Sequence, residues 1–291
     1  MSQFQANILL VFVTIGWGSS YLFTKYGLAE LQPINLVAYR FLIAFLVMYA
    51  IFYKRMRHVI KETIQASIIL GIILCCVSSV FGYALIVTTA STAGFLIATT
   101  VVMVPMLMII LTKQAPTRQV KIGTVIVITG IALFSIHDSI SFEIGMILCL
   151  FTAFLYALHI VLNNRFAQKN DGIQLGVLQL GFGGLFATIC TPLFETPALP
   201  QTSQGYMAVI MLALICSAFA VVMQSWAQQY TTAEHTGFIF ALEPIFAAIL
   251  AYIFLHESMS QQEILGALFI FLGVVVANHT PRKKEYALAK I

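Results

Sequence analysis

Residues Tyr83–Phe95 read YALIVTTASTAGF, and residues Trp226–Phe238 read WAQQYTTAEHTGF. Six positions are identical: Ala84 and Ala227, Thr88 and Thr231, Thr89 and Thr232, Ala90 and Ala233, Gly94 and Gly237, Phe95 and Phe238. The offset of 143 holds well beyond this stretch. Residues 81–133 overlie 224–276 without a gap, with twelve of the 53 positions identical, and Gly123 and Gly130 fall on Gly266 and Gly273. Apolar residues coincide easily by chance, but glycines held in register over such a length do not. A weaker offset of 139 places the first two apolar segments on those of 144–190. The chain is read as a duplication.

Composition says what is duplicated. Of the 291 residues, 60% are hydrophobic and 9% charged, with a mean hydropathy of +0.95. A water-facing domain needs about 25% charged residues, and this chain cannot cover such a surface. Apolar runs long enough to cross a bilayer recur throughout, about 20 residues being sufficient. The spans are predicted at 7–26, 34–53, 65–88, 91–111, 120–136, 144–163, 172–190, 205–228, 233–255 and 262–278. Such runs satisfy their backbone as helices and are too long for barrel strands. The fold class expected is an all-α integral membrane protein of ten transmembrane helices. The first span lacks a basic leader and a cleavage site, so it reads as a retained helix. The cysteines Cys75, Cys76, Cys149, Cys190 and Cys216 all fall inside spans, without metal-site spacing, and read as small packing residues.

Thirteen of the fifteen lysines and arginines fall in connections 2–3 (Lys54, Arg55, Arg57, Lys61), 4–5 (Lys113, Arg118, Lys121) and 6–7 (Arg165, Lys169), and in the tail (Arg282, Lys283, Lys284, Lys290). With ten spans these share one face, and basic residues mark the cytoplasmic face. Both termini are expected in the cytoplasm and the protein in the inner or plasma membrane. The net charge of +4 is this topological bias, so a nucleic-acid partner is not expected. Five spans per copy is an odd number, so the second copy enters from the opposite face. The expected domains are repeat 1–136, inverted repeat 137–279 and basic cytoplasmic tail 280–291. Inverted repeats recur in transporters, with the solute site near the midplane between the copies.

Candidate site residues follow from polar positions that survive the overlay. Trp17, Ser20, Tyr21 and Thr24 share one helical face, and at offset 139 Trp17, Ser20 and Thr24 fall on Tyr156, His159 and Asn163. Polar groups in hydrocarbon need partners, so both stripes either line a central cavity or hydrogen-bond between helices. Gln224 and Gln228 lie one turn apart, and Trp226 falls on Tyr83. These aromatics suit a stacked amphipathic or amino-acid-like solute, or an anchor at the membrane interface. Glu243, near the midplane and followed by Pro244, is a proton-coupling candidate or a protonated structural acid; its repeat counterpart is Thr100. Arg40 could attract a carboxylate or snorkel outward. Lys25 reads as an interface anchor and Glu257 as a solvated or packing charge. Gly172, Gly176, Gly181, Gly183 and Gly184 favour close helix approach. Pro105 and Pro244, one turn apart in the overlay, predict unequal bends in the two copies.

The stretches GWGSSYLFTKYG (16–27), YRF (39–41) and the block beginning LEPIF at Leu242 resemble the EamA family of the drug/metabolite transporter superfamily. Glu243, Pro244, Glu257, Gly266 and Gly273 match that family's pattern in the second copy. In the first copy Thr100 and Val101 stand in place of the Glu-Pro pair, and Gln114 in place of Glu257. The resemblance covers essentially the whole chain. It implies ten helices, an inner-membrane location and export of small metabolites, amino acids or drug-like solutes. No phosphate-cradling loop, nucleophile elbow, zincin motif or paired intramembrane aspartates is present. No cofactor, metal or catalytic residue is expected. The partners expected are a small-molecule substrate and the lipid bilayer, and a homodimer is allowed. The rival readings are a membrane-embedded enzyme and a passive channel.

Overall fold

The computed structural model describes residues 1–88, 90–113, 115–134, 144–255 and 261–278, and these are helical apart from short connections. Thr89, Gln114, Glu257 and the basic tail 280–291 lie outside the described residues. The helices in chain order are α1 (Gln3–Leu28), α2 (Pro33–Ile51), the single turn α3 (Tyr53–Met56), α4 (Lys61–Val87), α5 (Ala90–Ala98), α6 (Thr100–Thr112) and α7 (Arg118–Phe134). They continue as α8 (Ile144–Ala167), α9 (Gly172–Phe194) and α10 (Ser203–Met211), then a π-helical segment, Leu212–Phe219, leading into α11 (Ala220–Ala227). The last are α12 (Ala233–Phe240), α13 (Glu243–Leu255) and α14 (Gln261–Asn278). Among the described residues, seven helical stretches are long and apolar enough to cross a membrane, 3–28, 33–51, 61–87, 144–167, 172–194, 203–227 and 233–250. This is a multi-pass membrane protein.

Each cap has a local cause. Ser2 and Gln5 form a reciprocal capping box at the start of α1. Asp171 accepts from the amides of Ile173 (2.9 Å) and Gln174 (3.2 Å), Thr202 from that of Gly205 and Thr232 from that of His235. Pro33 opens α2, where its missing N–H costs nothing.

The connections gather at two opposed faces. At one, Arg55 pairs with Asp171 at 2.6 Å, and the Gln174 amide donates to the carbonyls of Arg55 and His58. The basic connections 52–60 and 168–171 are thereby joined. At the other face two carboxylates fasten the 195–202 connection to 29–35. Glu195 accepts from the amides of Ile34 and Asn35, both at 2.8 Å, and from the Tyr83 hydroxyl at 2.6 Å. Glu30 accepts from the amides of Gln201 and Thr202 and from the Thr202 hydroxyl. These donors hold the Glu30 carboxyl below the usual carboxylate range, the Thr202 hydroxyl having the largest effect.

Glycine decides how closely the helices approach. A Cβ on Gly71 would stand 2.7 Å from the Gln179 carbonyl, and one on Gly176 2.7 Å from the Val222 Cα. Helix α9 is thus pressed backbone to backbone against α4 and α11. Helices α7 and α14 pack by the same means: Gly123 lies on Gly273 and Ala277, and Gly130 on Gly266 and Ile270. Gly123 and Gly266 occupy equivalent places in the two copies, as do Gly130 and Gly273. The contacts are therefore reciprocal, and the helices run antiparallel.

The two proline-bearing stretches break in the same register, which corrects the unequal bends expected from the prolines. Helix α5 ends at Ala98 and α6 begins at Thr100; α12 ends before Ala241 and α13 begins at Glu243. Thr100 and Glu243 are equivalent residues. Pro105 lies inside α6, whereas Pro244 is the second residue of α13. Each break is accommodated locally. The hydroxyls of Thr99 and Thr100 donate to the carbonyls of Leu96 and Ile97, and the amides of Ala241 and Leu242 tighten into bonds with Phe238 and Ile239. The crossing of these helices sets the position: Gly94 of α5 faces Pro244, and Gly237 of α12 faces Val104.

Candidate solute site

A cavity of about 70 Å³ lies among α1, α2, α4, α5, α8, the π segment, α11 and α13. Its wall brings together six of the residues singled out in the sequence: Trp17, Ser20, Tyr21, Arg40, Tyr156 and Glu243. All six are buried. They come from four helices of both copies. The rest of the wall is largely apolar, with Phe41, Leu74, Val77 and Phe81 prominent.

Each wall residue is held by something specific. The Trp17 indole donates from Nε1 to the Cys216 carbonyl at 3.0 Å. Its ring meets Tyr156 and Phe240 edge-on, with centroids 5.4 and 4.7 Å away, contacts worth about 1 kcal/mol each beyond their buried area. Tyr21 packs edge-on against Phe81 and shares the wall with Glu243. Arg40 donates from Nε to the Ser217 hydroxyl at 2.9 Å, and its guanidinium lies 5.3 Å from the Phe41 ring centroid. The Tyr156 hydroxyl is buried and has no hydrogen-bond partner.

A smaller space of about 10 Å³ adjoins the cavity, and Tyr21, Ile97, Tyr156 and Glu243 line both. Four pairs in its lining are equivalent at offset 143: Gly94 with Gly237, Ile97 with Phe240, Ala98 with Ala241, and Thr100 with Glu243; Tyr21, Tyr156 and Pro244 complete it. The space lies between the two helix breaks.

The second stripe goes elsewhere. His159, Asn163, Gln224 and Gln228 are fully buried in a hydrogen-bonded network that contributes nothing to the cavity wall. His159 Nε2 pairs with Gln179 Oε1 at 2.9 Å, and Gln179 Nε2 donates to Ser225 at 2.8 Å. Ser225 donates to Asn163 Oδ1 at 3.0 Å, Asn163 donates to Gln228 Oε1, and Gln228 donates to the Ile160 carbonyl. Asn164 and Gln168 then cap the Gln228 carbonyl that the end of α11 leaves free. Of the two readings for this stripe, the structure gives interhelical bonding. Gln179, which sequence reasoning did not single out, is the residue onto which Arg40 falls at offset 139; that coincidence was the available signal.

The remaining candidates are also away from the cavity. Thr24 is buried, with no partner for its hydroxyl. Tyr83, 36% exposed, is engaged by Glu195 at the end of α4. Trp226 is half-buried at the end of α11, beside Gly172. Ser217 and Cys216 gave no sequence signal, since the run LALICSAF looks like any apolar helix. The π turn there is nevertheless what holds both Trp17 and Arg40.

Depth separates the two polar systems. At about 1.5 Å of rise per residue, Arg40 lies about 10 Å below the start of α2, Phe81 about 9 Å below the end of α4 and Thr152 about 12 Å below the start of α8. All three ends belong to the face carrying Glu30 and Glu195. Asn163 lies about 6 Å from the end of α8 at the basic face. The cavity occupies one half of the depth and the network fills the other.

A model of the EamA-like transporter family matches residues 5–136 and, again, residues 143–278. The chain belongs to that family. One EamA-like relative, named an uncharacterized transporter of Archaeoglobus fulgidus, is 29% identical over 94% of this chain and 97% of its own. Another, the uncharacterized transporter YcxC of Bacillus subtilis, is 22% identical over 97% and 95%. A solved crystal structure superposes with a TM-score of 0.77 at 18% identity, covering 94% of this chain and 96% of that one. It shares the fold. The resemblance of the Glu243–Gly273 block to this family is thus confirmed over the whole chain, with Glu243 on the cavity wall.

Proposed function

We propose that this EamA-like chain is a secondary transporter that exports small metabolites, amino acids or drug-like solutes across the inner or plasma membrane, both termini being cytoplasmic. It works by alternating access between two inverted five-helix halves, 1–136 and 137–279, which together cross the membrane ten times. The observation that carries this reading is the division of the repeated stripe between two environments. Trp17 and Ser20 border the cavity with Tyr156 on the same wall, while His159 and Asn163, the counterparts of Ser20 and Thr24, lie in the closed network at the opposite depth. Two equivalent halves caught in one of two exchangeable states would look like this. The reciprocal glycine contacts of α7 and α14 and their antiparallel course support a two-fold relation about an axis in the membrane plane. The equivalent residues lining the smaller space support an axis near Glu243.

The cavity wall has the character of those that hold small ligands, mostly apolar with a few polar groups. Glu243, buried between Tyr21 and Tyr156, is the group that would take up a coupling proton. Purified protein in liposomes should exchange labelled solutes saturably, with acceleration by solute on the far side, and Trp17→Ala should abolish the exchange. Flux linear in concentration and indifferent to solute on the far side would make the protein a channel. If an imposed pH gradient leaves wild type and Glu243→Gln equally fast, the proton assignment falls.

A further inference from the structure

Arg40 poses a problem that the protein does not solve by itself. It is 6% exposed and belongs to the wall of an otherwise apolar cavity. A guanidinium carries five donors in a rigid plane. Among the described residues, the hydrogen bond given to Arg40 is the one from Nε to Ser217. A cation buried without an anionic partner is costly, and such groups persist where function needs them. With Nε occupied, the edge left free is the terminal one, Nη1 and Nη2 side by side. That edge matches the two oxygens of a carboxylate.

We infer that Arg40 is the receptor for the carboxylate of the transported solute, and that Ser217 of the π segment sets its guanidinium for that task. The inference deepens the transport reading and rests on it. The π turn is what makes the arrangement available. Within it the Cys216 carbonyl holds the Trp17 indole and the adjacent Ser217 hydroxyl holds Arg40, so a single element fixes both the charged and the aromatic contact. The solute's body lies against Phe41, Phe81 and Trp17. Among the described residues lining the cavity Arg40 is the one cation, and Glu243 is an acid on the same wall. A wall that carries one positive charge and one acid suits a monoanion and disfavours a phosphate dianion.

The test uses purified full-length protein and three probes of one shape: 3-phenylpropanoate, its neutral amide and phenyl phosphate. The carboxylate should raise the unfolding temperature, by mass action on the folded state, and the other two should not. Arg40→Gln should weaken that binding by about a hundredfold, and Ser217→Ala by about three- to tenfold. The Arg40→Gln protein should unfold without ligand at the wild-type temperature or higher, because it has lost an uncompensated charge. An equal response to the amide, no response to the carboxylate, or a full response in Arg40→Gln overturns the assignment. Solute exchange in liposomes separates the two layers of the argument. Exchange of carboxylate-bearing solutes undiminished by Arg40→Gln refutes the receptor and leaves transport standing. Arg40-dependent binding without exchange of any solute does the reverse.

Discussion

Removing Asn163 should open the basic face. Asn163 donates to Gln228 and accepts from Ser225, and Asn163→Ala deletes both interhelical bonds. Their partners are not stranded: the single Ser225 hydroxyl proton can turn to the Val221 carbonyl 3.0 Å away, and Gln228 Oε1 still faces the Gln224 amide at 3.5 Å. The loss is therefore that of two bonds rather than of two orphaned groups. Interhelical hydrogen bonds within membranes average about 0.6 kcal/mol each, so the closed state loses about 1.2 kcal/mol. The state in which this half is open has already given these bonds up and is unaffected. Its population relative to the closed state should rise about sevenfold. The reporter is Ile160→Cys, at a fully buried position whose carbonyl accepts from Gln228 in the network, with the five native cysteines replaced by alanine. A membrane-impermeant maleimide added at the basic face should label it about sevenfold faster in Asn163→Ala. An unchanged rate, at unchanged folding, would mean that the network is ordinary packing and that the closed half does not open.

The glycine contacts of α7 and α14 should be equally intolerant on both sides: Gly130→Ala puts a Cβ 2.7 Å from the backbone of Gly266 and Ile270 and should cost about 1–3 kcal/mol. Gly273→Ala, whose Cβ would meet Val127 and the Gly123 carbonyl, should cost as much, and thermal unfolding in detergent compares them. Tyr156→Phe removes a buried hydroxyl that has no partner, so it should leave stability unchanged or improve it by up to about 1 kcal/mol while slowing solute exchange; loss of stability would mean that the hydroxyl is bonded. Glu30 is ordinarily half-protonated near 4.5, and its folded value is lowered. Its contribution is therefore complete above pH 4.5 and is lost as pH falls through the lower, folded value. Unfolding temperature should drop over that acid range in wild type and less steeply in Glu30→Gln, where the carboxylate is gone.

The parts of the molecule that could be read from sequence are those set by periodicity and composition. Apolar runs reported helices, and the glycine register at 143 reported the duplication; that Gly123, Gly130, Gly266 and Gly273 pair α7 with α14 is seen in the structure alone. Trp17, Ser20 and Tyr21 were legible as one face because helical spacing fixes which side chains share a side. The prolines misled, since Pro105 and Pro244 differ by a turn while both breaks fall at Thr100 and Glu243. There the crossing of four helices, not the missing amide, decides where the chain yields. The π segment was invisible because its widened turn depends on what it packs against, on Trp17 and Arg40 reaching for one carbonyl and one hydroxyl.

The second stripe shows a limit of another kind. An overlay assigns equal roles to equivalent residues, and it put Asn163 and His159 beside Trp17 and Ser20. Equivalence across an inverted repeat is equivalence over the whole cycle, whereas a single structure holds one moment of it. In this state Arg40 borders the cavity while its counterpart Gln179 is bonded to His159 and Ser225. If the halves exchange, Gln179 becomes the cavity residue and Arg40 the enclosed one. The two are chemically unlike: glutamine can enter a neutral packed network at little cost, and an arginine cannot. The state with Arg40 enclosed therefore needs an anion travelling with it. A carboxylate-bearing solute would supply that charge, which would tie the conformational change to occupancy of the site.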